Sequence, residues 1–160
     1  MYHPFGEDNP RDMPRYFFTG HTHLDYESAI RADVSRQDFT DAPRHWYMDA
    51  TFRCVRCGEE FRFTAAEQKL WYEEFRFYVD SRPNECPPCR RELRALKSLR
   101  QDYDRDIAEA LASGDLDLKI RVARVVDQLC EAGVALPAKV HANRALLARQ
   151  IARRSGRSDI

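Results

Sequence analysis

Hydrophobic and polar positions alternate strictly from residue 46. Trp46, Met48, Ala50 and Phe52 interleave with Tyr47, Asp49, Thr51 and Arg53, the pattern of a strand that buries one face. It runs into Cys54-Val-Arg-Cys57-Gly58. Phe61 and Phe63 then alternate with Arg62 and Thr64, which predicts a second short strand and a hairpin bent around the cysteine pair. Thr64-Ala-Ala-Glu67 reads as a capping box, in which the Thr hydroxyl takes the Glu amide and the Glu carboxylate reaches back. It opens a helix over 65–75, with Ala66, Leu70, Trp71 and Phe75 on one face. Residues 77–80 read as extended and Ser81-Arg-Pro-Asn84 as a turn. A second pair follows, Cys86-Pro-Pro-Cys89.

Beyond Cys89 the period changes to three and four. Leu93, Leu96, Leu99 or Arg100, Tyr103, Ile107 and Leu111 predict a long helix over 90–112. Gly114 stops it and Asp115 caps the next, over 116–131, with Leu118, Val122, Val125, Val126 and Leu129 inward. Gly133 ends that helix. Pro137 suits the first turn of a third, with Val140, Leu147 and Ile151 inward and Gly156 at its end. The first 45 residues behave differently: three prolines fall before residue 15 and no period is sustained. They predict an extended arm, with at most a short helix over 26–32 capped by Asp25. The fold class is therefore α+β: an arm (1–45), a cysteine module (46–92) and a helical unit of about three helices (93–160).

The chain has 160 residues, 43% of them apolar and 32% charged, with 26 basic and 26 acidic residues. A core can be buried, and a uniformly basic coat or long acidic tail is excluded. The balance hides a gradient. Residues 1–50 carry net −4, residues 51–118 net −2 and residues 119–160 net +6. Arg outnumbers Lys 22 to 4, which reads as a genomic composition bias. No run of 18 apolar residues predicts a membrane span, and residues 1–18 lack the basic and apolar regions of a signal peptide. A cytoplasmic protein is the expectation.

The chemistry lies in the cysteines. Cys54, Cys57, Cys86 and Cys89 form C-x2-C, a gap of 28 residues, and C-x2-C. Two residues between thiolates bend both sulfurs onto one ion, and two such pairs close a tetrahedron suited to a single structural Zn²⁺. The gap exceeds the usual spacing, and the extra length is explained if the hairpin and the capped helix sit inside it. Gly58 gives the first knuckle its freedom, and a helix N-terminus favours thiolate at the second pair. Paired disulfides suit an oxidising compartment, a redox C-x-x-C sits singly beside a βαβ pattern, and paired spacing favours zinc over an iron–sulfur cluster. Cys130 reads as helix packing. His21 and His23 share one side of an extended chain, with no obvious partners to complete a metal site. There is no phosphate-binding glycine loop, GxSxG or HExxH, and nothing local supports a Cys130–His141 dyad. No catalysis is expected.

Trp46-Tyr-Met-Asp49, Cys54-x-x-Cys57-Gly58, Phe61-Arg-Phe-Thr64, Glu67-Gln-Lys69-x-Trp71-Tyr-Glu73, Phe77-Tyr-Val-Asp-Ser-Arg-Pro83 and Cys86-x-x-Cys89-Arg-Arg91 resemble the bacterial "probable zinc-ribbon domain" family. The likeness covers about residues 46–92. It implies a zinc-ribbon or treble-clef-like module with a zinc site on Cys54, Cys57, Cys86 and Cys89, and it implies no reaction.

Two functional readings follow. The first is a structural zinc module that binds another macromolecule, preferably a protein. Trp71, Tyr72, Phe75, Phe77 and Tyr78 would pack mainly around the metal, some of them forming a hot spot. The alternative is nucleic-acid or ribosome association through Arg144, Arg149, Arg153, Arg154 and Arg157, supplemented by Arg90, Arg91, Arg94 and Arg100. Neither reading calls for a membrane or a small-molecule substrate.

Overall fold

The computed structural model describes residues 6–156, so Arg157 of the basic tail lies outside the described residues. The chain divides into two compact units, Met1–Arg90 and Arg91–Ile160.

The first unit is built on three antiparallel strands in the order β1-β2-β3. They are β1 (His21–Arg31), β2 (Trp46–Arg53) and β3 (Glu60–Phe63). β2 and β3 form where the alternation places them, with Ala50 opposite Phe63 and Phe52 opposite Phe61. Met48, Ala50, Phe52, Phe61 and Phe63 are buried, as their period requires, and Tyr47 is buried with them.

β1 corrects the reading of the first 45 residues as an extended arm. It pairs along β2, with Leu24 opposite Ala50 and Ile30 opposite Tyr47. It is an edge strand with no residue in the buried class, so it carries no period to read. The short helix expected over 26–32 is also absent, because those residues belong largely to β1. Asp25 does cap, but it caps a bulge. Its Oδ1 accepts from the Glu27 amide at 3.0 Å, while the Ser28 hydroxyl donates to the Asp25 carbonyl and accepts from the Asp49 amide at 2.7 Å. The register slips between Asp25 and Ile30 as a result.

Short 3₁₀ turns at Pro10–Asp12, Arg15–Phe18 and Val34–Arg36 complete the N-terminal segment. Met13, Phe17 and Phe18 join the core of the first unit. So does Arg44, only 2% exposed. Its Nε donates to the Val79 carbonyl at 2.7 Å and its Nη2 to the Phe17 carbonyl at 2.9 Å. The rings of Phe17, Phe18 and Tyr72 lie 4.7–5.1 Å from its guanidinium carbon. Burial lowers its pKa below the usual arginine value, against the opposing fields of Tyr72 and Asp80.

Helix α1 (Ala65–Lys69) begins at Thr64, whose Oγ1 accepts from the Glu67 amide at 3.1 Å. Only this half of the capping box forms; the Glu67 carboxylate accepts from Arg90 instead. The helix then widens into a single π turn, Leu70–Glu74, closed by the Phe75 amide on the Leu70 carbonyl at 3.0 Å. The buried residues are Ala65, Gln68, Tyr72 and Glu73, not the face of Ala66, Leu70, Trp71 and Phe75. Hydrogen bonding explains the rotation. The Gln68 amide donates to the Met48 carbonyl at 2.5 Å and the Phe63 carbonyl at 2.9 Å. Carbonyls left unpaired at a buried sheet end would cost more than exposing three apolar side chains.

α2 (Pro87–Ala112) starts in the first unit and belongs mostly to the second, followed by α3 (Leu116–Glu131) and α4 (Ala138–Ser155). Tyr103, Ala110, Leu118, Val122, Val126, Val140 and Leu147 are among the residues of the second core. Asp115 caps α3 through the Leu118 amide at 3.0 Å. Gly133 ends α3 at φ +73°, which lets the Val134 amide reach the Leu129 carbonyl and its own amide reach Cys130, a Schellman closure. Buried Lys119 donates to the Ala110 carbonyl and to Gln150 Oε1, so it satisfies a carbonyl in the last turn of α2.

Leu147 is fully buried, so Leu147→Ala should destabilise the helical unit by about 2–5 kcal/mol. Gly133→Ala, strained at its positive φ, should cost about 1 kcal/mol. Urea unfolding followed by far-ultraviolet circular dichroism measures both, with Leu147→Ala the more damaging.

Candidate metal centre

The β2–β3 connection is a tight knuckle. The Cys54 amide donates to the Glu59 carbonyl at 2.8 Å, and the Gly58 amide donates to the Cys54 carbonyl at 3.0 Å. Gly58 sits at φ +78° with nothing within 4 Å of where a Cβ would stand. Backbone torsion, not crowding, therefore demands glycine there. Arg53 closes the knuckle from outside by donating to the Gly58 carbonyl at 3.1 Å.

The second pair sits at a helix start. α2 begins at Pro87, directly after Cys86. Two prolines suit this turn, whose amides have no intrahelical partner. The Arg90 amide makes the first closing bond, to the Cys86 carbonyl at 2.9 Å. Two bonds join the pairs: the Val55 amide donates to the Asn84 carbonyl at 3.1 Å, and the Cys86 amide to Cys54 Sγ at 3.3 Å. The second of these delivers a donor to a sulfur, as a thiolate requires. The Val55–Asn84 link carries no motif and was not legible in the sequence.

The structure brings all four predicted ligands together. The Sγ atoms of Cys54, Cys57, Cys86 and Cys89 lie within 4.8 Å of one another, and Cys57 and Cys86 are 3.7 Å apart. A tetrahedron with metal–sulfur bonds of about 2.3 Å has edges of about 3.8 Å. All four thiols are free of disulfides. Cys54, Cys86 and Cys89 are buried and Cys57 is exposed.

Proton affinities in the cluster show why it wants a cation. Burial pushes the Cys54 thiol up, but amide hydrogen bonds from Cys57, Cys86 and Arg56 outweigh this and hold it at about 6. Cys89 moves the other way, pushed up to about 12 by its hydrogen bond with Cys86 and by burial. At Cys57 the Glu59 amide favours the thiolate, yet hydrogen bonding with Cys54 and burial leave the pKa raised. One sulfur ionises readily and its neighbours then resist. A divalent ion reverses that resistance, because it stabilises every thiolate at once. The donor set fits one tetrahedral ion, filled entirely by cysteine.

Other residues singled out in the sequence lie elsewhere. His21 and His23 are exposed on β1. Among the described residues, the four cysteines form the one group of three or more Cys, His, Asp or Glu side chains arranged to hold an ion. Cys130 is exposed near the end of α3, which corrects its reading as a packing residue: it falls next to Leu129, which takes the buried position. Arg53 pairs with Glu60 at 3.8 Å and Arg90 with Glu67 at 3.1 Å. These two arginines beside the ligands are thereby tied to carboxylates.

A family model described as a probable treble clef domain matches residues 48–98. That span runs from within β2 into α2 and contains all four cysteines. It agrees with the arrangement seen here, one pair on a hairpin knuckle and the other on the first turn of a helix. No curated protein and no solved structure matches the chain.

Cobalt(II) substitution should give the absorption of an all-sulfur tetrahedral site, unchanged by azide. Serine at any one of Cys54, Cys57, Cys86 or Cys89 should weaken metal binding and impair folding of the first unit, whereas Cys130→Ser should leave the metal in place. Metal binding must displace the protons that Cys57 and Cys89 hold at neutral pH, so apparent affinity should fall as pH falls. Competition titrations from pH 8 to pH 6 measure that slope. Chelation should erase amide protection over residues 46–90 and spare α3 and α4. Loss of all helicity together would contradict the division into two units.

Proposed function

We propose that this is a structural zinc protein whose zinc module presents a surface to a protein partner, with no catalytic role for the metal. Four thiolates on one ion leave no coordination position for a water or substrate. Free thiols and zinc both point to a reducing compartment, in keeping with the expected cytoplasm. No described helix is long and apolar enough to cross a membrane.

One observation carries the choice of partner. Leu70, Phe75, Phe77 and Tyr78 are 44%, 56%, 46% and 57% exposed, and they fall between the two cysteine pairs. Phe77 stacks edge-on between half-buried Trp71 and Phe75, at 5.2 and 6.0 Å. Arg76 occupies the left-handed region at φ 58°, uncommon for a residue other than glycine. It is held there by two bonds to Asp38, the shorter 2.6 Å. A π turn followed by a left-handed residue turns these rings outward at a local backbone cost. Large aromatics on a rigid frame are what protein interfaces use as anchors.

The nucleic-acid reading draws on α4. Arg144 is tied to Asp127 by two bonds of 2.8 Å, and Arg154 donates to the Gly114 carbonyl. These two arginines of α4, like Arg90 with Glu67, thus serve the fold, which weakens that reading relative to the first.

Affinity capture from native lysate with the zinc-loaded protein tests the choice. Capture should survive nuclease and be lost in the Phe75→Ser/Phe77→Ser/Tyr78→Ser variant with its zinc content intact. Nuclease-sensitive capture that weakens steeply with salt, and weakens further in Arg149→Gln/Arg153→Gln, would replace this reading with the nucleic-acid one.

A further inference from the structure

A cleft of about 260 Å³ opens beside β1, lined by Pro10, Met13, Arg15, Phe18, His21, Leu24, Tyr26 and Met48. Except for Met48 these residues precede the treble-clef match, so the cleft belongs to the part of the chain that the match does not describe. Met13, Phe18 and Met48 are buried and form its floor, Leu24 and Tyr26 are half-buried walls, and Arg15 and His21 are exposed at its mouth. Among the described residues no acidic side chain lines it. Among the described residues Arg15 has no ion-pair partner. His21 Nδ1 lies 2.6 Å from the Phe18 carbonyl. A carbonyl only accepts, so Nδ1 carries the proton and Nε2 is the ring atom left for a ligand. Arg11 lies over the Tyr26 ring at 4.5 Å but pairs with Glu27 at 3.5 Å, so Arg15 is the cation left for a ligand.

An apolar floor together with an exposed arginine that has no ion-pair partner among the described residues is the arrangement of a site for an amphipathic anion. The planar fork of Arg15 matches a carboxylate with two parallel bonds. The volume lies just under the ~300–1,000 Å³ typical of sites for drug-sized ligands, which sets the size of the guest. We infer that this cleft binds a small monocarboxylic acid with one apolar group, on the scale of phenylacetate. The ring rests on Met13, Phe18, Leu24 and Met48, and the carboxylate pairs with Arg15.

Phenylacetate and its uncharged isostere phenylacetamide, titrated separately into the full-length zinc-loaded protein, test this by amide chemical shifts. Phenylacetate should produce saturable shifts confined to residues 10–26 and the vicinity of Met48. It should bind at least about tenfold more tightly than the amide, the worth of one charge-assisted pair. Arg15→Gln should bring the acid down to the level of the amide and leave the amide unchanged, while Arg15→Lys should keep part of the difference. Arg15 is exposed, so neither variant threatens the fold, and zinc content with circular dichroism confirms that. Leu24→Trp should fill the cleft and abolish binding of both. Absence of saturable shifts, equal affinity for acid and amide, or an undiminished response in Arg15→Gln would each overturn the inference.

Discussion

Four sulfurs within 4.8 Å of one another cannot all ionise unless a cation lies between them, and that constraint organises the first unit. Cys54 comes from the end of β2, Cys57 from the knuckle, and Cys86 and Cys89 from the start of α2. Closing the cluster therefore fixes the end of the sheet against the start of a helix. The bonds from Val55 to Asn84 and from Cys86 to Cys54 repeat the same join in backbone amides. Arg90 adds a third tie, one residue beyond the last ligand, by pairing with Glu67 and lying over Trp71 at 5.7 Å. The sulfur cluster, backbone amides and an ion pair all meet at one junction.

The rest of that unit handles polar groups which a small sheet cannot satisfy by itself. Gln68 serves the Met48 and Phe63 carbonyls from α1, and Asp49 accepts from the Ala65 amide at 2.7 Å. Arg44 joins Phe17, Val79 and three rings into one cluster. A buried guanidinium with carbonyl and aromatic partners keeps its hydrogen bonds satisfied without a buried carboxylate. It also explains why the N-terminal segment belongs to the unit: Phe17 and Phe18 close the cage.

The same use of polar side chains leaves apolar ones outside. Because Gln68 and Tyr72 take the inward face, Leu70 and Phe75 are turned to solvent, and the π turn with Arg76 carries Phe77 and Tyr78 after them. The exposed aromatic surface thus follows from the hydrogen bonding of the sheet end. It lies on the segment between the two cysteine pairs, whose ends the sulfur cluster brings together.

Much of this was legible in the chain. Strict alternation gave β2 and β3, and the three-and-four period gave α2, α3 and α4 with Asp115 and Gly133 at their boundaries, because each signal arises within a few residues of where it acts. The cysteine spacing picked out the four thiols that the fold gathers for the same reason, since a two-residue gap is a local geometric requirement. What needed tertiary structure was everything decided between distant segments. β1 is an edge strand with no buried period, so only its pairing with β2 reveals it. The inward face of α1 was chosen by the carbonyls of Met48 and Phe63 to which Gln68 donates, and no pattern of hydrophobicity encodes a hydrogen bond made 20 residues away. Arg44 and the cleft beside β1 belong to the same class. A lone arginine or a set of scattered apolar residues acquires its meaning from neighbours that the fold supplies.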